Sequence, residues 1–169
     1  SMASMAGGTA ANAIPREARA LVGIQSGKEL AFRAAIDTET AAIRKELAAT
    51  DPGFVVALVP SATPAHRVLG QAGTRSLLTM LLGMPNGLIA MEPDMPGLIR
   101  TSLNLGTLSG TATGDTFALT TMTLVRSSSD ADKEALGKRL ETSIESASNM
   151  GWKVSHKRQA ESPAASAPC

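Results

Sequence analysis

An α+β fold is what this sequence predicts: a two-layer sandwich with an antiparallel sheet of about four main strands, two helices on one face and a further inserted helix. Three observations lead there. Residues 28–50 and the segment after Ser129 carry apolar side chains at helical spacing. Runs rich in Leu, Thr and Val at 98–108 and 116–127 flank a stretch, Gly110 to Asp115, of hairpin composition. The elements then follow in the order strand, helix, strand, inserted helix, strands, helix, strand, the manner of a ferredoxin-like split βαβ repeat.

Residues 1–6 (SMASMA) hold two methionines but no basic or long apolar region, so they read as an expression remnant and not a signal peptide. Residues 17–24 (EARALVGI) follow Pro15 and stop at Gln25-Ser26-Gly27, a turn signal, and are assigned to a strand. Phe32, Ile36, Ile43 and Leu47 make one stripe of a long helix over 28–50, with Arg33, Asp37, Arg44 and Lys45 on other sides. Asp51-Pro52-Gly53 ends it, because Pro biases its predecessor away from helix and Gly tolerates the left-handed turn. Residues 54–59 are expected to be a buried strand.

Thr63-Pro64 can open a second helix running to about Leu82, since Pro at the first helical position loses no hydrogen bond. Its apolar face would be Val68, Leu69, Leu77, Leu78 and Leu81. After Met84-Pro85-Asn86-Gly87 come a short strand at 88–91 and a Pro-containing loop through Glu92, Asp94 and Pro96. The strands at 98–108 and 116–127 should pair antiparallel. Ser129 can cap the final helix, Asp132 suits its first turn, Leu136, Leu140, Ile144 and Ala147 form its stripe, and Gly151 stops it. A last strand is expected at 152–155, so the domain spans 7–156 and the tail 157–169, lacking any apolar period, is expected to be disordered.

Composition narrows the function classes. A chain of 169 residues, 43% hydrophobic and 18% charged, builds one globular domain, and 2% aromatics make its core aliphatic. Lys plus Arg at 16 against Asp plus Glu at 15 gives no field to attract nucleic acid or an anionic membrane. The apolar run at 77–84, broken by Thr79 and Gly83, is far short of the roughly 20 residues that cross a bilayer. Cys169 alone cannot form an internal disulfide, so a reducing cytoplasm is the expected location.

The sequence holds no complete catalytic or metal site. A hydrolytic zinc centre needs about three clustered ligands, yet His66 and His156 are far apart and neither has a nearby His or Cys partner. No Ser sits in a Gly-x-Ser-x-Gly turn, and Gly106, Gly110 and Gly114 fall in a strand and hairpin, where their default role is turn formation. Glu92 and Asp94 read as a solvated turn in preference to an acid and base pair. Three polar residues remain. Asn104 shares a strand face with Ser102 and reads as an exposed polar residue. Arg126, on the face of Met122 and Leu124, could hold a carboxylate with its guanidinium fork or be an ordinary surface arginine. Asn12 is by default a turn residue.

Two stretches add a resemblance. GGTAANAIPREA (7–18) and MPNGLIAMEPDMPGLIRTSLNLG (84–106), in this order and separation and followed by Val125-Arg126-Ser127, resemble the bacterial aminoacyl-histidine (Xaa-His, carnosinase-like) dipeptidases over about 7–152. The part resembled is their lid, a smaller domain that supports dimerisation and substrate capture. The resemblance implies a cytoplasmic homodimer whose own catalytic domain, absent here, holds two zinc ions, so that no cofactor and no catalytic residue belongs to this segment. It further implies that Asn12 hydrogen-bonds the dipeptide substrate and that Arg126 binds its terminal carboxylate. The family's Gly-His-Ser-Gly motif has no counterpart here, and KRQAESPAASAPC does not look like the family's return into the catalytic domain. The rival reading is a free-standing ferredoxin-like dimerisation or small-ligand module.

Overall fold

The computed structural model describes residues 1–62, 65, 67–114, 116–147 and 151–159. Among them are three helices and an open antiparallel sheet of five strands, the α+β class expected. The strands are β1 (Met2–Gly7), β2 (Ala18–Val22), β3 (Gly87–Met91), β4 (Ile99–Thr113) and β5 (Thr116–Ser127). The helices are α1 (Glu29–Glu46), α2 (Gln71–Gly83) and α3 (Asp130–Glu145). The sheet order is β2-β1-β4-β3, with β5 also paired to β4. The chain divides into two compact units, Ser1–Thr74 with Asn104–Leu124, and Arg75–Leu103 with Val125–Cys169.

In the first unit residues 1–6, left outside the domain by the sequence reading, take part in the fold. Met2–Gly7 is β1, paired to β2 (Met5 opposite Ala20) and to β4 (Met5 opposite Gly110), with Met2 and Ala3 buried. The strand forms because both of its edges find a ladder, which satisfies its backbone groups whatever its modest β-propensity. A correction concerns the segment after α1. Residues 54–59 form no strand, and Val55 and Val59 are exposed, because a β-prone run becomes a strand only where a neighbouring edge accepts it. α1 keeps the first half of its predicted stripe, with Phe32 and Ile36 half-buried and Thr40 buried on the same side, whereas Ile43 is exposed and Leu47 lies past the last helical residue. It stops at Glu46, short of the predicted end, and passes through a turn closed by Asp51 N–H donating to Leu47 O at 2.8 Å.

α2 begins at Gln71 and not near residue 63. Leu69 exchanges two backbone hydrogen bonds with Met2, and the Thr74 hydroxyl donates to Leu69 O at 3.0 Å while accepting from Met2 N–H at 3.0 Å. A residue held extended in a bridge cannot lie inside a helix, so the helix starts after it. Thr63, Pro64 and His66 lie outside the described residues.

The second unit buries Leu77, Met84, Leu103, Leu136, Leu140 and Ala147, an aliphatic core as composition requires. α3 is capped as its sequence predicts: Ser129 Oγ accepts from Asp132 N–H at 3.2 Å, and Asp132 in turn pairs with Arg100 at 2.8 Å. Ser129→Ala should cost about 1 kcal/mol of stability, read as a lowered urea midpoint with unchanged slope. Residues 152–155 form no strand. Trp152 docks instead, its indole N–H donating to Ser76 Oγ at 2.9 Å and its backbone N–H to Ala147 O at 3.2 Å. Arg158, within the segment expected as a tail, pairs with Glu134 and Glu141 on α3. Hydrogen bonding from Arg158 holds the Glu141 carboxyl below the usual carboxylate range, and the same contact pushes the guanidinium pKa up. Residues 160–169 lie outside the described residues.

A candidate substrate-facing loop and strand end

Asn12 belongs to the first unit. It lies in the loop between β1 and β2, which turns away from the sheet at Gly8, whose φ of 69° is left-handed and suits glycine. The loop closes where Gly8 N–H donates to Glu17 O at 3.2 Å, and it contains a turn in which Ala13 N–H donates to Ala10 O at 3.3 Å. The Asn12 side chain is exposed at the tip.

What fixes this loop is on β4. The Asn104 amide nitrogen donates to Ala11 O at 2.7 Å and to Ala13 O at 2.8 Å, the two carbonyls that bracket Asn12. Two residues on, and so on the same strand face, Gly106 lies directly beneath the loop. A Cβ added there would fall 2.5 Å from Ala10 O and on the Ala11 backbone, so only glycine allows this approach. β1 pairs with 108–111 of β4 and β3 with 99–103, which leaves 104–107 between the two registers. The loop docks on that stretch.

Two sequence readings are corrected by these contacts. Asn104 is half-buried and bonded, not a solvated strand residue. Gly106 and Gly110 are not turn glycines: Gly106 admits the loop, and a Cβ on Gly110 would meet the Phe117 ring at 2.8 Å. Gly114, with φ of 57°, is the glycine of the hairpin turn. Glycine inside a strand signals a close approach by another group, and an amide two residues away on the same face was the clue to what approaches.

Arg126 belongs to the second unit, one residue before the end of β5. Burial alternates along β5, with Phe117 buried and Met122 and Arg126 exposed, so Arg126 lies on the more exposed side of the strand. The backbone beneath is held firmly. Ser127 Oγ shares a 2.8 Å hydrogen bond with Thr101 Oγ1 and accepts from Ser129 N–H at 3.1 Å, while Ser128 N–H donates to Arg100 O at 3.0 Å. An exposed guanidinium on so fixed a strand end can accept a carboxylate bidentately with little ordering of backbone.

Other candidates carry less. Asp94 is exposed, and Glu92 is half-buried with its carboxylate 3.5 Å from Ser128 Oγ. His156 lies 3.4 Å from Glu141. Among the described residues, no group of three or more His, Cys, Asp or Glu is placed to hold a metal ion. A shallow groove lined by Gly83, Pro85, Lys138, Arg139, Thr142 and Ser143 includes neither Asn12 nor Arg126. Among the described residues, no helix is long and apolar enough to cross a membrane.

No family model matches the chain. Its sequence is 29% identical over 105 residues to the cytosol non-specific dipeptidase of Escherichia coli (strain K12), a match covering 62% of this chain and 21% of that protein. Its fold matches the crystal structure of the aminoacylhistidine dipeptidase from Vibrio alginolyticus with a TM-score of 0.78 and 26% identity, over 87% of this chain and 29% of that one. In sequence and in fold, therefore, this chain is similar to a segment of these dipeptidases, of which it spans less than a third.

Proposed function

We propose that this chain is the lid segment of a cytoplasmic, homodimeric dipeptidase acting on Xaa-His dipeptides, in which it captures substrate while a separate catalytic domain holds two zinc ions. The observation that carries the reading is the fold similarity, over 87% of the chain, to an aminoacylhistidine dipeptidase. Two side chains supply the capture chemistry. Arg126 offers a planar fork of N–H donors for the dipeptide's terminal carboxylate, and Asn12 offers an amide that both donates to and accepts from a peptide group. Both are exposed on backbone that other residues hold in place. Their contribution is positioning: a dipeptide held at its carboxyl end presents its scissile bond in one register.

The test is Arg126→Ala in the intact dipeptidase that carries this segment. Loss of a charge-assisted bidentate contact should raise KM for a His-containing dipeptide by about ten- to a hundred-fold, with a smaller fall in kcat. Unchanged KM and kcat would remove Arg126 from the site. Sizing the 169-residue chain alone tests the assembly role, for which the expected result is a dimer.

A further inference from the structure

We infer that Asn104 is a positioning residue that sets the conformation in which Asn12 meets substrate. This deepens the lid reading and rests on it. The Asn104 amide has two N–H groups, and both are committed to the Asn12 loop, one to the carbonyl before Asn12 (2.7 Å) and one to the carbonyl of the residue after it (2.8 Å). Fixing these two oxygens fixes the 11–12 peptide plane, immediately before the Asn12 Cα, and the 13–14 plane, one residue beyond it, so the backbone through Asn12 is pinned at both ends and with it the direction in which the side chain leaves the loop. Gly106 supplies the floor on which the loop rests. Even the loop's entry is pressed onto it, since a Cβ on Gly8 would collide with Gly106 O.

The arrangement is not explained by burial. Residues 12–17 are exposed, so the loop has no core of its own to order it, and holding it costs backbone entropy that these two bonds offset. The chemistry at position 104 is also narrow. Aspartate has the same shape but no N–H, and its carboxylate would face two carbonyl oxygens; alanine would leave both carbonyls without their partner. An amide at this reach is what the geometry uses.

Two measurements separate this inference from the lid reading. In the 169-residue chain, Asn104→Asp should speed hydrogen exchange of the Ala13 amide at least tenfold, with the β4 amides at 108–111 unchanged. No change at Ala13 would overturn the clamp, whatever the enzyme does. In the intact dipeptidase, Asn104→Ala should raise KM several-fold with kcat nearly retained, and the double variant Asn12→Ala/Asn104→Ala should be no worse than Asn12→Ala alone. Fully additive losses would mean that Asn104 does not act through Asn12, and the inference fails while the lid reading stands. An Asn12→Ala enzyme of normal KM would instead defeat Asn12's substrate role, and with it any function for the clamp, even if the exchange result holds.

Discussion

A chain lacking residues 1–6 is expected to lose its cooperative fold. β1 lies between β2 and β4 in the sheet, so its removal strips a pairing strand from β2 and from 108–111 of β4 together. Met2 and Ala3, 4% and 5% exposed, leave the core, and the bridge from Met2 to Leu69, with its Thr74 hydroxyl, is broken. Each orphaned buried backbone group costs about 1–3 kcal/mol, and a domain has only about 5–15 kcal/mol to lose. The measurement is a thermal melt followed by far-UV circular dichroism, in which the truncated chain should show no sigmoidal transition. A melt coincident with that of the full chain would mean that β1 contributes nothing to the fold.

Leu103→Ala should be the most damaging single substitution among these predictions. Leu103 is 1% exposed on β4, opposite Gly87 of β3, and its truncation opens a cavity that a strand hydrogen-bonded to neighbours cannot close by collapse. Such changes cost about 2–5 kcal/mol, which for a chain of this length corresponds to a fall in Tm of roughly 5–15 °C. Leu82→Ala is the control, because Leu82 is 86% exposed and its loss should stay within about 0.5 kcal/mol. Equal effects of the two would show that Leu103 is not part of a packed core.

The elements that could be read from the sequence are those whose signals are local. The Ser129 cap, the stripe through Leu136, Leu140 and Ala147, and the whole of β5 each depend on neighbours within a few residues, and each is found in place. The misread elements depend on distant partners. Residues 54–59 have strand composition without a strand, and Met2–Gly7 is a strand without strand composition, because pairing and not propensity decides both. The start of α2 is set by a bridge to residue 2, which no periodicity near residue 70 reveals. For the site, composition and spacing do not distinguish Asn12 and Arg126 from ordinary polar residues, and only the family resemblance does. Asn104 carries no such local signal, because the meaning of a strand asparagine depends on which loop reaches it, and that loop is far away in sequence.

That separation, 93 residues between Asn104 and Ala11, also sets a timetable for synthesis. At about 5–20 residues per second a ribosome adds this stretch in roughly 5–20 s, and throughout that interval the Asn12 loop exists without its clamp. The hairpin of β1 and β2 can form early, since its strands are close in sequence, but β1 must wait as an open edge for 108–111. The nascent chain is therefore most open to unwanted strand pairing just before β4 emerges, and the Asn12 loop is among the last parts to take shape.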